Sequence, residues 1–179
     1  MITKAIFLDR DGVINKEVSY LYKIENFTFI EGVFESLKAF IESGYLIIIV
    51  TNQSGISRKL FTLDDYKKIT SWMLEKFKQE NISIDAIYFC PHGPEENCNC
   101  RKPKPGLFDQ AKKDLNINMN LSWAIGDSER DIVAAKKAGI VNTILVRSGH
   151  KINENNTSAK YVINSIANAN EIICQSNKN

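Results

Sequence analysis

Five apolar runs punctuate the chain: AIFLD (5–9), YLIIIVTN (45–52), IDAIYFC (84–90), LSWAIGD (121–127) and NTILV (142–146). Their apolar residues follow one another rather than alternating with polar ones, which predicts strands covered on both faces. Between the runs the period lengthens to that of an amphipathic helix. Val33, Phe34, Leu37, Phe40 and Ile41 form one apolar stripe, and Gly44 stands where such a helix stops. Thr62 and Asp65 are spaced as a capping box, with Asp in place of the usual Glu or Gln. Tyr66, Ile69, Met73, Leu74 and Phe77 then supply a buried face. Further helices are expected over 106–115 and 129–138, and a terminal helix carries Cys174. Strands alternating with helices through right-handed crossovers predict a three-layer α/β fold: a Rossmann-like parallel sheet with helices on both sides. Ligands of such sheets sit beyond the carboxyl ends of the strands.

The 179 residues are about one domain's worth, and 44% apolar residues suffice for one core. The chain reads as a single domain over 1–174 with a polar tail, 175–179. The stretch NENNTSAK (153–160) and the terminal SNKN look loose, and there is no repeat or interdomain linker. The longest strongly apolar run, Tyr45 to Val50, is too short to span a bilayer, and the N-terminus enters a strand without a secretory leader. A cytoplasmic protein with no membrane partner is expected. The formal charge is only +2, with opposite signs interspersed, which argues against nucleic acid as a partner; a monomer is expected.

Polar chemistry collects where the strands end. The first run leads into Asp9-Arg10-Asp11-Gly12, the second into Thr51-Asn52-Gln53-Ser54-Gly55, and the fourth into Gly126-Asp127-Ser128-Glu129-Arg130-Asp131. Arg101-Lys102-Pro103 precedes the helix leading to that fourth strand. Each motif alone has a plainer reading: D-x-D-G is common in calcium loops and turns, Thr51-Asn52 is ordinary turn chemistry, and Lys102 is an ordinary solvated charge. Together they bring carboxylates, a hydroxyl and a lysine to one rim of the sheet, which points to phosphoryl transfer. Of Asp9 and Asp11, one can attack phosphorus while the other donates a proton. A carboxylate nucleophile gives an aspartyl-phosphate that water then cleaves. The charge that develops calls for Mg²⁺ on hard oxygen ligands, for which Asp9 and Asp127 are the natural choice, with Thr51 and Lys102 on the phosphoryl oxygens.

Three of the four cysteines and one of the two histidines fall in CPHGPEENCNC (90–100). Cys90, His92, Cys98 and Cys100, spaced C-x-H-x5-C-x-C, offer three thiolates and an imidazole, the donor set of a closed, structural Zn²⁺ site. In a reducing compartment clustered cysteines more often bind metal or do chemistry than form disulfides. The plainer alternative is a surface loop of reduced thiols. Zinc held there would fix the approach of Arg101 and Lys102, which follow Cys100 directly. Cys174 is expected as a small buried apolar residue and His150, after Gly149 in a loop, as solvent-exposed.

Through FLDRDG, VTNQSG, RKPKPG and AIGDSERD the sequence resembles the haloacid dehalogenase (HAD) superfamily of phosphatases. Through DRDGVIN, ENFTFIEGV, VTNQSGISR, YFCPH and CNCRKPKPG it resembles, more specifically, the D,D-heptose 1,7-bisphosphate phosphatase family, whose relatives include histidinol-phosphate phosphatase. The resemblance implies a HAD-like fold, Asp9 as nucleophile and Asp11 as general acid and base. It also implies Mg²⁺ on Asp9, the backbone carbonyl of Asp11 and the Asp127 side chain. Thr51 and Lys102 would stabilise the transferring phosphoryl group, and Arg101 would recognise substrate. Thr51, Asn52, Gln53 and Ser54 would line the binding site, and Glu17 to Tyr20 would occupy the place of a substrate-contacting loop. The family also carries a zinc loop of the same ligand types; here the stretch between the histidine and the final cysteine pair is shorter than in many members. Two places depart from the pattern. Ser128 stands where the family usually offers a basic residue to the substrate, and of the substrate loop only Tyr20 keeps the pattern, Glu17, Val18 and Ser19 being a free version of it. Both departures bear on substrate choice and leave the catalytic group untouched.

Between Asp11 and Thr51 there is room for a flap and one helix, and between the third strand and Lys102 only for the cysteine loop. No separate cap domain is therefore expected, and short loops must set specificity: Glu17 to Tyr20, Ser54 to Phe61, and the cysteine loop. The resemblance implies hydrolysis of the 7-phosphate of D-glycero-D-manno-heptose 1,7-bisphosphate, a step toward nucleotide-activated heptose for cell-surface glycans. Histidinol phosphate or another small sugar phosphate is the enzymatic alternative, and the anomer is left open. A zinc-loop nucleic-acid-binding module is disfavoured by the unclustered charge and by the lack of interleaved aromatics. A phosphate-accepting receiver domain is disfavoured because its acceptor usually follows a later strand.

Overall fold

The computed structural model of the chain describes residues 3–175, Gln175 by its backbone only. Apart from that backbone, the expected polar tail lies outside the described residues. Six strands form one sheet: β1 (Ala5–Leu8), β2 (Leu46–Asn52), β3 (Ala86–Cys90), β4 (Trp123–Gly126), β5 (Asn142–Val146) and β6 (Tyr161–Ile163). The helices are α1 (Val33–Glu42), α2 (Leu63–Gln79), α3 (Gly106–Leu115), α4 (Glu129–Lys137) and α5 (Ala169–Gln175). All strand pairings are parallel, in the order β3-β2-β1-β4-β5-β6.

The continuous apolar runs become buried strands because each covers two layers at once. Ile6 and Leu8 of β1 and Ile47 and Ile49 of β2 pack against Val33, Leu37 and Phe40 of α1, Ile69, Met73 and Phe77 of α2, and Ile173 of α5. Ala5, Phe7, Ile48 and Val50 turn the other way, toward Leu107, Phe108 and Ala111 of α3 and Ala134 and Ala135 of α4. Burial of each large apolar side chain contributes about 1.5–3 kcal/mol, so these two cores hold the three layers together.

The helix ends obey local signals. Gly44 takes a left-handed φ of 79° just past α1. At the start of α2, Thr62 Oγ1 accepts from Asp65 N at 3.1 Å while Thr62 N donates to Asp65 Oδ2 at 2.8 Å. β6 lies outside the five expected strands: Tyr-Val-Ile is half-buried and too short to show a period, and it is ordered by pairing with β5 through Ile144↔Tyr161. The stretch 153–160, expected to be loose, is tied down. Glu129 accepts from Thr157 Oγ1 at 2.6 Å and from Ser158 Oγ and N at 2.7 and 3.0 Å, and Glu154 pairs with Arg147 at 2.6 Å. Cys174 is only half-buried rather than fully so, with its Sγ 3.5 Å from Ser43 Oγ.

Among the described residues no helix is long and apolar enough to cross a membrane. The segment between Asp11 and α1 is irregular, with one 3-10 turn at Ile24–Asn26, and the cysteine loop is all that separates β3 from the approach to α3. Neither segment holds a cap domain. The strand order runs outward from β1 in both directions, so the chain switches sides between β1 and β4, and a crevice opens beyond their carboxyl ends.

Candidate active site

Asp9 follows β1 and Asp127 follows β4, and these strands are neighbours, with Leu8 in register with Ile125 and Asp9 N donating to Ile125 O at 3.0 Å. Between the two aspartates and the end of β2 sits Lys102, 2% exposed. Its Nζ lies 2.6 Å from Asp131 Oδ1 and 3.2 Å from Asp9 Oδ1, and donates to Val50 O at 2.8 Å. Asn52 fixes the lysine's backbone from both sides, donating to Lys102 O and accepting from Lys102 N, each at 3.1 Å. Burial works against the ammonium charge, but Asp131 and Asp9 outweigh it and raise the Lys102 pKa above the ordinary lysine range. Burial likewise opposes the Asp131 carboxylate, which Lys102 and Ser128 bring back below its usual value. Asp9 is pushed well above its ordinary value, first by burial and then by Asp131, Asp127 and Asp11, with Lys102 in opposition.

Asp11 is oriented by three side chains. Arg10, 1% exposed, donates through Nη2 to Oδ1 and Oδ2 at 2.9 and 3.0 Å; Asn15 donates to Oδ1 and Gln53 to Oδ2, both at 3.0 Å. Gln53 Nε2 also donates to Thr51 Oγ1 at 2.9 Å. Thr51 is 1% exposed, as buried as Lys102 and Asp127 beside it, and its hydroxyl is fixed by that bond from Gln53.

Asp127 is enclosed more tightly. Its Oδ2 accepts from the backbone N and the ring Nδ1 of His150 at 2.9 and 2.6 Å. Gly12 and Gly149 press on the same oxygen: a Cβ on either would stand 2.2 or 2.0 Å from it. The other oxygen, Oδ1, is buried with no hydrogen-bond partner. Carboxylate oxygens of Asp9, Asp127 and Asp131 lie within 4.8 Å of one another. Both oxygens of Asp131 are occupied by Lys102 and Ser128, whereas Asp9 Oδ2 accepts no hydrogen bond among the described residues. Two hard oxygens, one of them a buried orphan, therefore face a patch with an excess of negative charge. That fits a small divalent cation such as Mg²⁺.

The cysteine loop gathers as its spacing suggested. Cys100 Sγ lies 2.9 Å from Cys90 Sγ and 3.5 Å from Cys98 Sγ, Cys90 and Cys98 are 3.6 Å apart, and His92 Nδ1 is 3.2 Å from Cys100 and 3.6 Å from Cys90. A tetrahedral zinc with bonds of about 2.3 Å would set its sulfurs about 3.8 Å apart, so four donors already stand close to ligating positions. Burial pushes the Cys90 thiol up. At Cys98 burial also opposes ionisation, but bonds from the Arg101 backbone, Cys100 and Cys90 bring it down to about 7. Two cations brace the loop from its carboxyl-terminal side: Arg101 Nη1 donates to His92 O at 3.0 Å, and Lys104 Nζ to Cys98 O at 2.7 Å.

Over these groups lies a cavity of about 340 Å³. Its walls contain Asp9, Asp11, Glu17, Val18, Ser19, Tyr20, Asn52, Gln53, Ser54, Arg101, Lys102, Asp127 and Ser128, all singled out in the sequence. They also contain Arg58, Arg130, Asp131 and His150, to which the sequence pattern assigns no role. Arg58 donates to Tyr20 Oη at 3.0 Å, joining the loop after β2 to the 17–20 segment. Ser128 caps α4, its Oγ donating to Asp131 Oδ2 at 2.9 Å, so its hydroxyl is engaged within the helix turn. Asp131 carried a signal in the sequence, because Ser128-x-x-Asp131 repeats the capping spacing of Thr62 and Asp65. His150 carried a weaker one, standing just past the end of the fifth strand. Its side chain is 47% exposed as expected, yet the ring bonds Asp127. Arg58 and Arg130 carried only their places within VTNQSGISR and AIGDSERD.

A family model described as HAD-hydrolase-like matches residues 99–169. The D-glycero-beta-D-manno-heptose-1,7-bisphosphate 7-phosphatase of Pasteurella multocida is 44% identical over 177 residues, covering 95% of this chain and 96% of that relative. The protein of the same name from Helicobacter pylori is 46% identical over 144 residues, covering 80% and 83%. Among solved structures, the crystal structure of D,D-heptose 1,7-bisphosphate phosphatase from B. bronchiseptica, complexed with magnesium and phosphate, aligns with a TM-score of 0.87. It is 30% identical, with 97% of this chain and 99% of that one covered. With identity of this order over nearly the whole length and the same parallel-sheet fold, the chain belongs to the D-glycero-beta-D-manno-heptose-1,7-bisphosphate 7-phosphatase family of HAD-like hydrolases.

Proposed function

We propose that the protein removes the 7-phosphate of D-glycero-beta-D-manno-heptose 1,7-bisphosphate, with Asp9 as nucleophile and Mg²⁺ as cofactor. The observation that carries this is the placement of Lys102 between Asp9 and Asp131, in a cluster of carboxylates that includes Asp127 with its unpaired Oδ1. The beta anomer is favoured because the relatives at 40–46% identity are named for it.

The Asp9 carboxylate attacks phosphorus, and the bond from phosphorus to the sugar oxygen breaks as the aspartyl-phosphate forms. Asp11, held in one orientation by Arg10, Asn15 and Gln53, gives its proton to the departing oxygen. Water then attacks the same phosphorus and passes a proton back to Asp11, so that inorganic phosphate leaves and Asp9 is restored. Lys102 neutralises charge on the phosphoryl oxygens, and the Thr51 hydroxyl, which accepts from Gln53, keeps its own proton to donate. Asp9, Asp127 Oδ1 and the backbone carbonyl of Asp11 would hold Mg²⁺, which when bound stabilises the same developing charge and favours the ionised form of Asp9. Cys90, His92, Cys98 and Cys100 would hold a structural Zn²⁺ that keeps Arg101 and Lys102 in place from outside the cavity.

Phosphate release in Mg²⁺ from the beta and alpha anomers of the heptose bisphosphate and from histidinol phosphate, with Asp9→Asn as blank, tests this reading. Preference for the beta anomer, lost in Asp9→Asn, is expected. Preference for histidinol phosphate would move the protein to the sister activity, and turnover that survives Asp9→Asn would remove Asp9 as nucleophile.

A further inference from the structure

We infer that His150 is a positioning residue for the metal-binding carboxylate: it holds Asp127 by one oxygen so that the other is presented to the divalent cation. The inference rests on the Mg²⁺ reading of the site, and its own basis is the asymmetry of Asp127. Both donors of His150, backbone N at 2.9 Å and ring Nδ1 at 2.6 Å, converge on Oδ2, while Oδ1 of the same 1%-exposed residue has no partner. An unpaired buried carboxylate oxygen is costly, and a cation is the partner that satisfies it best.

The surroundings make the choice of oxygen a fixed one. Gly149 and Gly12 approach Oδ2 so closely that neither could carry a Cβ. Ser148 Oγ donates to Gly12 O at 2.7 Å, which fastens the loop after β5 to the turn after Asp11. Two backbone segments and an imidazole thus close around Oδ2, and the carboxylate cannot exchange its oxygens without displacing them. Carboxylate ligands of metals are themselves hydrogen-bonded, and loss of such a partner typically costs 10–100-fold in affinity. The His150 ring is half exposed and packs in neither core cluster, so its removal leaves the fold intact.

The test is direct calorimetric titration of Mn²⁺ into the full-length protein freed of Mg²⁺ with the cysteine loop left zinc-loaded, without substrate, for wild type, His150→Ala and His150→Asn. In the asparagine variant the amide Nδ2 stands close to the place of Nδ1. His150→Ala is expected to bind Mn²⁺ about tenfold more weakly or worse, and His150→Asn to recover most of the loss. In turnover assays the Mg²⁺ concentration for half-maximal rate should rise more than the rate at saturating Mg²⁺ falls. Wild-type affinity in His150→Ala overturns the assignment, as does an equal loss in both variants, which would assign the effect to ring bulk. Absence of Mn²⁺ binding by the wild type would instead overturn the metal reading beneath it, so the two failures are distinguishable.

Discussion

Lys102 is a cation with almost no access to water, set against two carboxylates that would otherwise repel each other. Removing one partner of a buried ion cluster costs about 3–5 kcal/mol, because the charges left behind are uncompensated. Lys102→Met is therefore expected to lower the unfolding free energy of the Mg²⁺-free protein, read from its denaturation midpoint, by that order. Mg²⁺ should return part of the loss by supplying positive charge to the same aspartates, and chemical denaturation with and without Mg²⁺ checks both halves. An unchanged midpoint would mean that the three groups do not share charge as their geometry requires. Asp9, Asp11, Asp127 and Lys102 were readable in the sequence because a parallel sheet brings strand ends together whatever their separation along the chain. The roles of Arg58 in its loop and Arg130 in the first turn of α4 were not, since a lone charge gains meaning only from a neighbour in space. At Thr51 the strand end was readable, but the bond its hydroxyl accepts from Gln53 was not, because no spacing reveals a side-chain bond.

The start of α2 offers a test free of the active site. Thr62→Ala removes the acceptor for Asp65 N and is expected to lower the melting temperature by about 2–4 °C, the usual effect of one lost cap in a chain of this length. The pH dependence comes from the partner. Bonds from the Thr62 backbone and hydroxyl hold the Asp65 carboxyl below its ordinary value. A lowered folded pKa contributes stability that is complete above the unfolded aspartate value of about 3.9 and is lost as pH falls through the folded one. Wild type should thus melt above Asp65→Asn at neutral pH and converge with it under strongly acidic conditions; a constant gap would remove the carboxylate as its source. At Ser128 and Asp131 the carboxylate again accepts from the backbone and hydroxyl of the cap residue, and the sequence showed the spacing but not that Asp131 would also face Lys102. Five strands were readable from unbroken apolar runs. β6 was not, because three half-buried residues at a sheet edge take their conformation from β5.

Across the whole molecule, the cysteine loop and the sheet meet at one short stretch. Cys100 is followed by Arg101, bonded to His92 O, and by Lys102, bonded through its backbone to Asn52 at the end of β2. Cys98→Ser is expected to release zinc, measured by metal analysis, and to depress turnover, because the loop then loses the anchor that sets both cations. Full activity in a demonstrably zinc-free variant would refute that link. β1 has a further consequence for synthesis. It is made first, yet it lies in the middle of the sheet, with β2 on one side and β4 on the other. Its edge toward β4 stays open until residues past 123 have left the ribosome, and an open apolar edge invites pairing with other chains. A chain interrupted anywhere between β3 and β4 carries Asp9 without Asp127 and an AIFL strand with one edge open. Truncated products are expected to be inert and prone to aggregate.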